Sequence, residues 1–242
     1  MIQDDTRTFP QPKFEHQKYA KEREDYRASL PELLKLEFKP ADYIHHFPAF
    51  AGELTIARYL SLYEAYKMTV GLAGHIAEVG VDKGSVTIFF AKLCRLFEPH
   101  SLTLVHGFDW FQGAAPTAEE KHIAKGDCRT PEELVRSLVN IQKLDSIIRI
   151  HNLDVANKLK DFLEENQHLM FKLIFVDCGI YDVVATSIEQ LWPRLVPGGV
   201  FVLDHYSHEF APGEARAVRK LLPNAIFKQF PFGWMPTAYT IK

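Results

Sequence analysis

The stretch Glu78-Val79-Gly80-Val81-Asp82-Lys83-Gly84 separates a short apolar run from an amphipathic one, and its glycines allow backbone to pass close to a ligand at a helix N-terminus. Gly80-x-x-x-Gly84 preceded by Glu78 differs from the G-x-G-x-x-G of dinucleotide enzymes. The alternative is a tight turn that only closes strand onto helix. Asp109 ends the next apolar run, 25 positions after Gly84. A carboxylate there can accept two hydrogen bonds from the vicinal hydroxyls of a ribose, or serve as a turn or cap aspartate. Asp154, past a third run, is placed to accept from an adenine amine or to cap a helix. Asp177 and Asp204-His205 end two further runs. If those strands are neighbours in a parallel sheet, two carboxylates and an imidazole emerge together and need a cation or a shared proton. The cluster reads as a metal or general-base site, against aspartates that only cap helices beside a histidine on the cleft rim.

Such residues need a scaffold of alternating strands and helices. A helical pattern over 53–69 places Ile56, Leu60, Tyr63 and Tyr66 on one face. Strands are expected over 75–81, 102–108, 146–151, 171–177 and 200–204. Between them come a helix opened by Gly84, with Val86, Phe89, Phe90, Leu93 and Leu96 as its apolar stripe, and helices over 155–166 and 183–195. Thr117 with Glu120, and Thr130 with Glu133, have capping-box spacing and predict two helix starts. After a helix over 212–222, strands over 225–230 and 237–241 are joined by a turn too short for a crossover, so they should pair antiparallel. The rhythm predicts an α/β fold with a doubly wound, mostly parallel sheet covered on both faces.

With 28 Lys+Arg against 31 Asp+Glu and a net charge of −3, the chain lacks the clustered cations that nucleic acid requires. Being 47% hydrophobic over 242 residues, it can bury a large core. No stretch is long and apolar enough for a membrane span, and no apolar leader opens the chain, which predicts a cytoplasmic protein. Cys94, Cys128 and Cys178 lack C-x-x-C spacing and read as reduced thiols. His45, His46 and His75 have no ligand spacing, and no G-x-S-x-G, P-loop or H-E-x-x-H is present. Residues 1–42 are read as a charged helical segment, solvated or mobile and a reasonable docking element for a homo-oligomer, with residues 43–242 as the domain.

Glu78-x-Gly80-x-x-x-Gly84, Asp109, Asp177 and Leu195-Val196-Pro197-Gly198-Gly199 together resemble a class I S-adenosylmethionine-dependent methyltransferase. More narrowly, Glu78 through Ser85, Asp109-Trp110-Phe111-Gln112-Gly113 and Val202-Leu203-Asp204-His205-Tyr206 resemble the macrocin O-methyltransferase family, which methylates sugar hydroxyls of natural products. The resemblance implies a Rossmann-like seven-stranded sheet closing with an antiparallel hairpin. It implies S-adenosylmethionine bound by Glu78, Gly80, Gly84, Ser85, Asp109, Trp110, Asp154 and Asp177, with a small-molecule acceptor. It also implies a divalent ion, Mg or Mn, on Asp177, Asp204 and the next position, where His205 departs from the family's aspartate. The catalytic group is then His205 with Asp177 and Asp204, through an ion or with His205 as a metal-independent base. Residues 110–128 are expected to form a lid and 43–50 to close the other side. The competing readings are a non-catalytic S-adenosylmethionine-binding subunit and a nicotinamide-dependent oxidoreductase.

Overall fold

The computed structural model describes residues 18, 20–117, 120, 123–209 and 211–242. Strands β1 (His75–Val79), β2 (Val105–Asp109), β3 (Ile148–Asn152), β4 (Phe171–Val176) and β5 (Leu195–Leu203) pair in parallel. With β6 (Ala238–Ile241) antiparallel to β5, the order is β3-β2-β1-β4-β5-β6. All six residues of β4 are buried, as expected of a central strand covered on both faces, and only Lys172 interrupts its apolar run.

One face carries α3 (Glu53–Lys67), α4 (Ser85–Phe97) and α5 (Glu132–Ile141), which bury Leu62, Phe90 and Val139 against Leu173 and Phe175. The other carries α6 (Val155–Glu165), α7 (Tyr181–Leu191) and α8 (Pro212–Leu221), which bury Leu159, Ile188 and Val218 against Ile174 and Phe201. Pro193 ends the α7 run early, so a 3₁₀ turn at Trp192–Arg194 follows and β5 begins at Leu195, five positions before the expected start.

The sheet has six strands, one fewer than expected. Residues 225–230 make a single antiparallel bridge, Lys228 to Tyr239. Their aromatic side chains go to different partners instead: Phe227 stacks on Tyr206 at 5.0 Å and Phe230 on Tyr239 at 4.6 Å, and Pro231 ends the run. The apolar face of α3 is also turned from the expected one. Ser61, Leu62, Ala65 and Tyr66 are buried while Leu60 is exposed, which puts Arg58, one turn before Leu62, on the inward side.

Helices α1 (Ala20–Lys35) and α2 (Pro40–His45) precede the sheet. The charged α1 is docked rather than solvated throughout. Arg23 is buried with its guanidinium 4.5 Å from the Trp234 ring centroid, and the Tyr26 hydroxyl donates to the Phe50 carbonyl at 2.8 Å. Among the described residues no helix is long and apolar enough to cross a membrane.

On the sheet face under α6, His106 of β2 and His151 of β3 stack, with His106 Nδ1 3.0 Å from His151 Nε2. Burial favours their neutral forms: it takes His106 down to about 3, with His151 adding to the effect, and His151 down to about 4, aided by Arg136 and Arg149. Because both pKa values lie below the ordinary 6.5, the unfolded chain binds more protons, and stability falls as the pH drops from about 6.5 towards 4. The expected slope reaches about 1.4 kcal/mol per pH unit for each histidine. Urea unfolding at several pH values should show it, and His106→Phe, which keeps the ring stack, should flatten it.

Candidate active site

A cavity of about 560 Å³ opens beyond the carboxyl ends of β1, β2, β4 and β5, where an open parallel sheet offers a ligand crevice. Gly80 is required there. It has a φ of +91°, and a Cβ would run into the carbonyl oxygen of Asp177, so β1 and β4 could not stay paired to their ends. Gly80→Ala is therefore expected to destabilise the fold and deform the cavity wall together, measurable as a lowered Tm with weakened cofactor binding. Gly84, with φ +78°, is the left-handed N-cap of α4 packed on Val135.

The Asp109 carboxylate organises the rim. Its Oδ2 accepts from the backbone N–H of Val81 at 2.9 Å and Asp82 at 3.1 Å, and its Oδ1 from the N–H of Phe111 at 2.7 Å. Three of roughly four carboxylate lone-pair sites are thereby used, so Asp109 has room for one further hydrogen bond through Oδ1 rather than two. Thr130 does not cap α5, whose N-cap is Pro131; its hydroxyl donates to Asp82 Oδ1 at 2.5 Å and pins the same turn.

Gly80, Asp109, Trp110, Asp154 and Asp177 all line the cavity, whereas Glu78, Gly84 and Ser85 do not. Trp110 is held by its indole N–H, which donates to the Gly113 carbonyl at 2.6 Å. Asp154 accepts from the Asn157 amide at 2.8 Å and starts α6. Ser85 is exposed. Glu78 is buried inside β1, where the Thr87 hydroxyl donates to it. Burial drives its pKa well above the usual carboxylate value, against the Thr87 hydrogen bond.

Asp177, Asp204 and His205 are brought together, each with one potential ligand atom within 4.8 Å of the others'. Arg58, which the sequence pattern did not single out, joins them. Its Nη1 donates to Asp204 Oδ1 at 2.5 Å and its Nη2 to Asp177 Oδ2 at 2.8 Å. A guanidinium thus already occupies one oxygen of each carboxylate, in the place where a divalent ion bridging the pair would sit.

Burial raises the Asp177 pKa to about 7, and Asp204 adds to this while Arg58 opposes it. The His205 ring lies 3.7 Å from Asp204 Oδ2 and 3.6 Å from Glu214 Oε1. Its burial opposes protonation, but Glu214 and Asp204 outweigh that and lift it to about 9, which keeps the imidazole charged at neutral pH. Glu214 also accepts from the His205 backbone N–H at 2.9 Å and was likewise not foreseen from sequence.

Within 110–128, Gly113, Ala114, Ala115, Ile123, Asp127 and Cys128 wall the cavity, and Ala114 exchanges backbone hydrogen bonds with the Gly126–Asp127 segment. The helix expected from Thr117 falls partly outside the described residues. Glu120, buried, accepts instead from the Thr117 N–H at 2.8 Å and from the Tyr181 N–H at 3.2 Å, tying this segment to α7. The expected closure by 43–50 is not seen among the lining residues. Tyr43 and Phe50 pack with Phe38, and that side of the cavity is formed by Arg58, Trp234 and Met235.

The tetracenomycin relative 8-demethyl-8-(2,3-dimethoxy-alpha-L-rhamnosyl)-tetracenomycin-C 4'-O-methyltransferase of Streptomyces olivaceus is 26% identical to this chain over 149 residues, 57% of this chain and 54% of that protein. The match thus spans about half of that relative's length. The calicheamicin methyltransferase CalS11 superposes with a TM-score of 0.80 at 21% identity, covering 98% of this chain and 96% of CalS11. Its apo form, described as a TDP-rhamnose 3'-O-methyltransferase, gives 0.71 at 21% identity over 98% of both chains. The O-methyltransferase NovP gives 0.61 at 18% identity, over 77% and 80% of the two chains. Residues 77–206, more than half of the chain and the part that runs from within β1 through the Asp204-His205 cluster, match the model of a methyltransferase domain, and the chain belongs to that methyltransferase family.

Proposed function

We propose that this protein transfers the methyl group of S-adenosylmethionine to a hydroxyl of a small-molecule acceptor, of the class of a sugar on a natural product. The observation that carries the reading is the lining of the crevice: seven aspartates, Asp82, Asp109, Asp127, Asp154, Asp177, Asp182 and Asp204, face it with Arg58 and two histidines. Such a field favours a sulfonium cation and opposes the doubly negative pyrophosphate of a nicotinamide dinucleotide. The acceptor class is supported by the names of the Streptomyces olivaceus relative and CalS11, both of which describe O-methylation of a rhamnose.

When bound, the cofactor supplies an electrophilic methyl carbon on positively charged sulfur. The chain's own part is to place it and to receive a proton. Gly80 lets the ligand approach the end of β1, the one remaining site on Asp109 accepts from a ribose hydroxyl, and Asp154 takes the adenine side. Asp177, about a quarter exposed and on the cavity wall, takes the proton of the acceptor hydroxyl as its oxygen is methylated. Protonated His205 and Arg58 hold the neighbouring carboxylates. Alignment of oxygen, carbon and sulfur within a walled cavity supplies much of the remaining acceleration.

Calorimetry with S-adenosylmethionine and with NAD tests the cofactor: the former should bind and the latter should not. A methylation assay over rhamnosylated and deoxysugar-bearing acceptors tests the reaction. Binding without any methyl transfer would favour a non-catalytic subunit. Asp109→Ala should weaken cofactor binding at least about tenfold and lower Tm, since three N–H groups lose their acceptor. Unchanged affinity would take Asp109 out of the site.

A further inference from the structure

Two carboxylates and an imidazole converging within 4.8 Å form a donor set that would suit a divalent ion if nothing else stood between them. Arg58 stands between them. Its two terminal nitrogens reach different carboxylates, Asp204 at 2.5 Å and Asp177 at 2.8 Å, so the planar fork bridges the pair. Asp204 is 1% exposed, and an ion taking its Oδ1 would leave the arginine, itself only 20% exposed, without its strongest partner.

Nor is Arg58 a loose surface arm. It projects from the buried side of α3, and its guanidinium carbon lies 5.6 Å from the ring centroid of Phe175, a fully buried residue of β4 two positions before Asp177. The first turn of α3 is tied down in turn by the Trp234 indole, which donates to the Leu54 carbonyl at 2.9 Å.

We infer that Arg58 is the resident cation of the Asp177–Asp204 pair, occupying the place of a divalent ion, so that methyl transfer here is metal-independent and Arg58 is the positioning residue for Asp177. The inference rests on the proposed function for what Asp177 does, but its central claim concerns which cation the carboxylates hold. That claim is testable without turnover.

The experiment is Mn²⁺ titration of the full-length, chelator-treated protein, followed by the electron paramagnetic resonance signal of free aqueous Mn²⁺. Wild-type protein should leave the signal unchanged at equimolar ion. Arg58→Met should gain a site of one ion per chain, at least tenfold tighter than any wild-type binding, and Arg58→Met with Asp204→Asn should lose it. Arg58→Lys, which restores a charge but not the fork, should bind less Mn²⁺ than Arg58→Met.

One Mn²⁺ bound per wild-type chain overturns the inference whether or not the variants fold, and so does a folded Arg58→Met that binds no more Mn²⁺ than wild type. Cofactor binding by calorimetry is read separately: protein that binds neither Mn²⁺ nor S-adenosylmethionine would sink the proposed function and leave the assignment of Arg58 standing. Activity that survives chelation in a methylation assay supports both.

Discussion

Asp177→Asn lowers turnover by a factor of about 10²–10⁴, the range that a positioned general base supplies, and changes cofactor affinity much less. Two groups compete for the role of base, and their surroundings separate them. His205 sits between Glu214 and Asp204, which hold it protonated up to about pH 9, so at neutral pH it has no lone pair to offer. Asp177 is pushed up to about 7 by burial and by Asp204, and a base whose pKa lies near the working pH combines a usable ionised fraction with a useful affinity for the proton.

The sign of the pH dependence follows. The competent form of Asp177 is the ionised one, so kcat/KM should rise with pH through about 7 and should decline above about 9, as His205 loses its charge and the cluster becomes more negative. His205→Asn should remove the alkaline limb and cost less activity than Asp177→Asn. The reverse ranking, or a profile flat across neutrality, would return the role to His205. Isosteric asparagine keeps the hydrogen bond from Arg58, so the loss reads the proton acceptor rather than the packing.

Much of this site was legible in the sequence because the βαβ rhythm places strand ends at one edge. Once the runs over 75–81, 102–108, 171–177 and 200–204 are taken as neighbouring parallel strands, Gly80, Asp109, Asp177 and Asp204-His205 must converge, and they do. What the pattern did not show is how charge is settled inside that edge. Arg58 lies on the 58-62-66 stripe of α3 with Leu62 and Tyr66, whereas the expected face of Ile56, Leu60, Tyr63 and Tyr66 shares only Tyr66 with it, and an arginine in an apolar stripe is ordinarily assigned to solvent. The signal available was the small pair Ser61 and Ala65, which marks the closely packed side.

Glu214 and Glu120 were hidden for a different reason. Each acts outside the local pattern, Glu214 on the backbone of His205 across nine positions and Glu120 on that of Tyr181, 61 positions away, and capping-box spacing explains Glu120 only locally. The missing seventh strand has a similar origin. Residues 225–230 read as a strand, yet Phe227 and Phe230 find stacking partners in separate places, and that tertiary pull outweighs local propensity.

The largest effect on stability is expected far from the chemistry, at Lys172. This lysine of β4 is fully buried, and its ammonium reaches both oxygens of Glu98, at 2.7 and 2.8 Å, while the buried Tyr66 hydroxyl donates to Glu98 Oε2 at 2.7 Å. Burial acts to raise the Glu98 pKa, but the Lys172 and Tyr66 hydrogen bonds outweigh it, and the pKa ends below the usual range. The carboxylate is therefore ionised in the fold, and the stability it contributes is present above about pH 4.3 and is lost as the pH falls further.

Lys172→Met removes the cation and leaves that carboxylate nearly buried without its partner, so a loss of about 3–5 kcal/mol is expected in denaturant unfolding. Glu98→Gln strands the lysine and should cost a similar amount. The double variant Lys172→Met with Glu98→Gln should recover most of the loss, because the glutamine oxygen still accepts from Tyr66 and no unpaired charge remains. The two single losses would then greatly exceed the double one, a coupling that measures the ion pair rather than the packing of either side chain. Lys172 lies near the start of β4, at the other end of the strand from Asp177, so cofactor affinity should be unchanged in whichever variants fold. Additive losses, or a Lys172→Met protein within about 1 kcal/mol of wild type, would show that the pair is solvated in solution and contributes little to the fold.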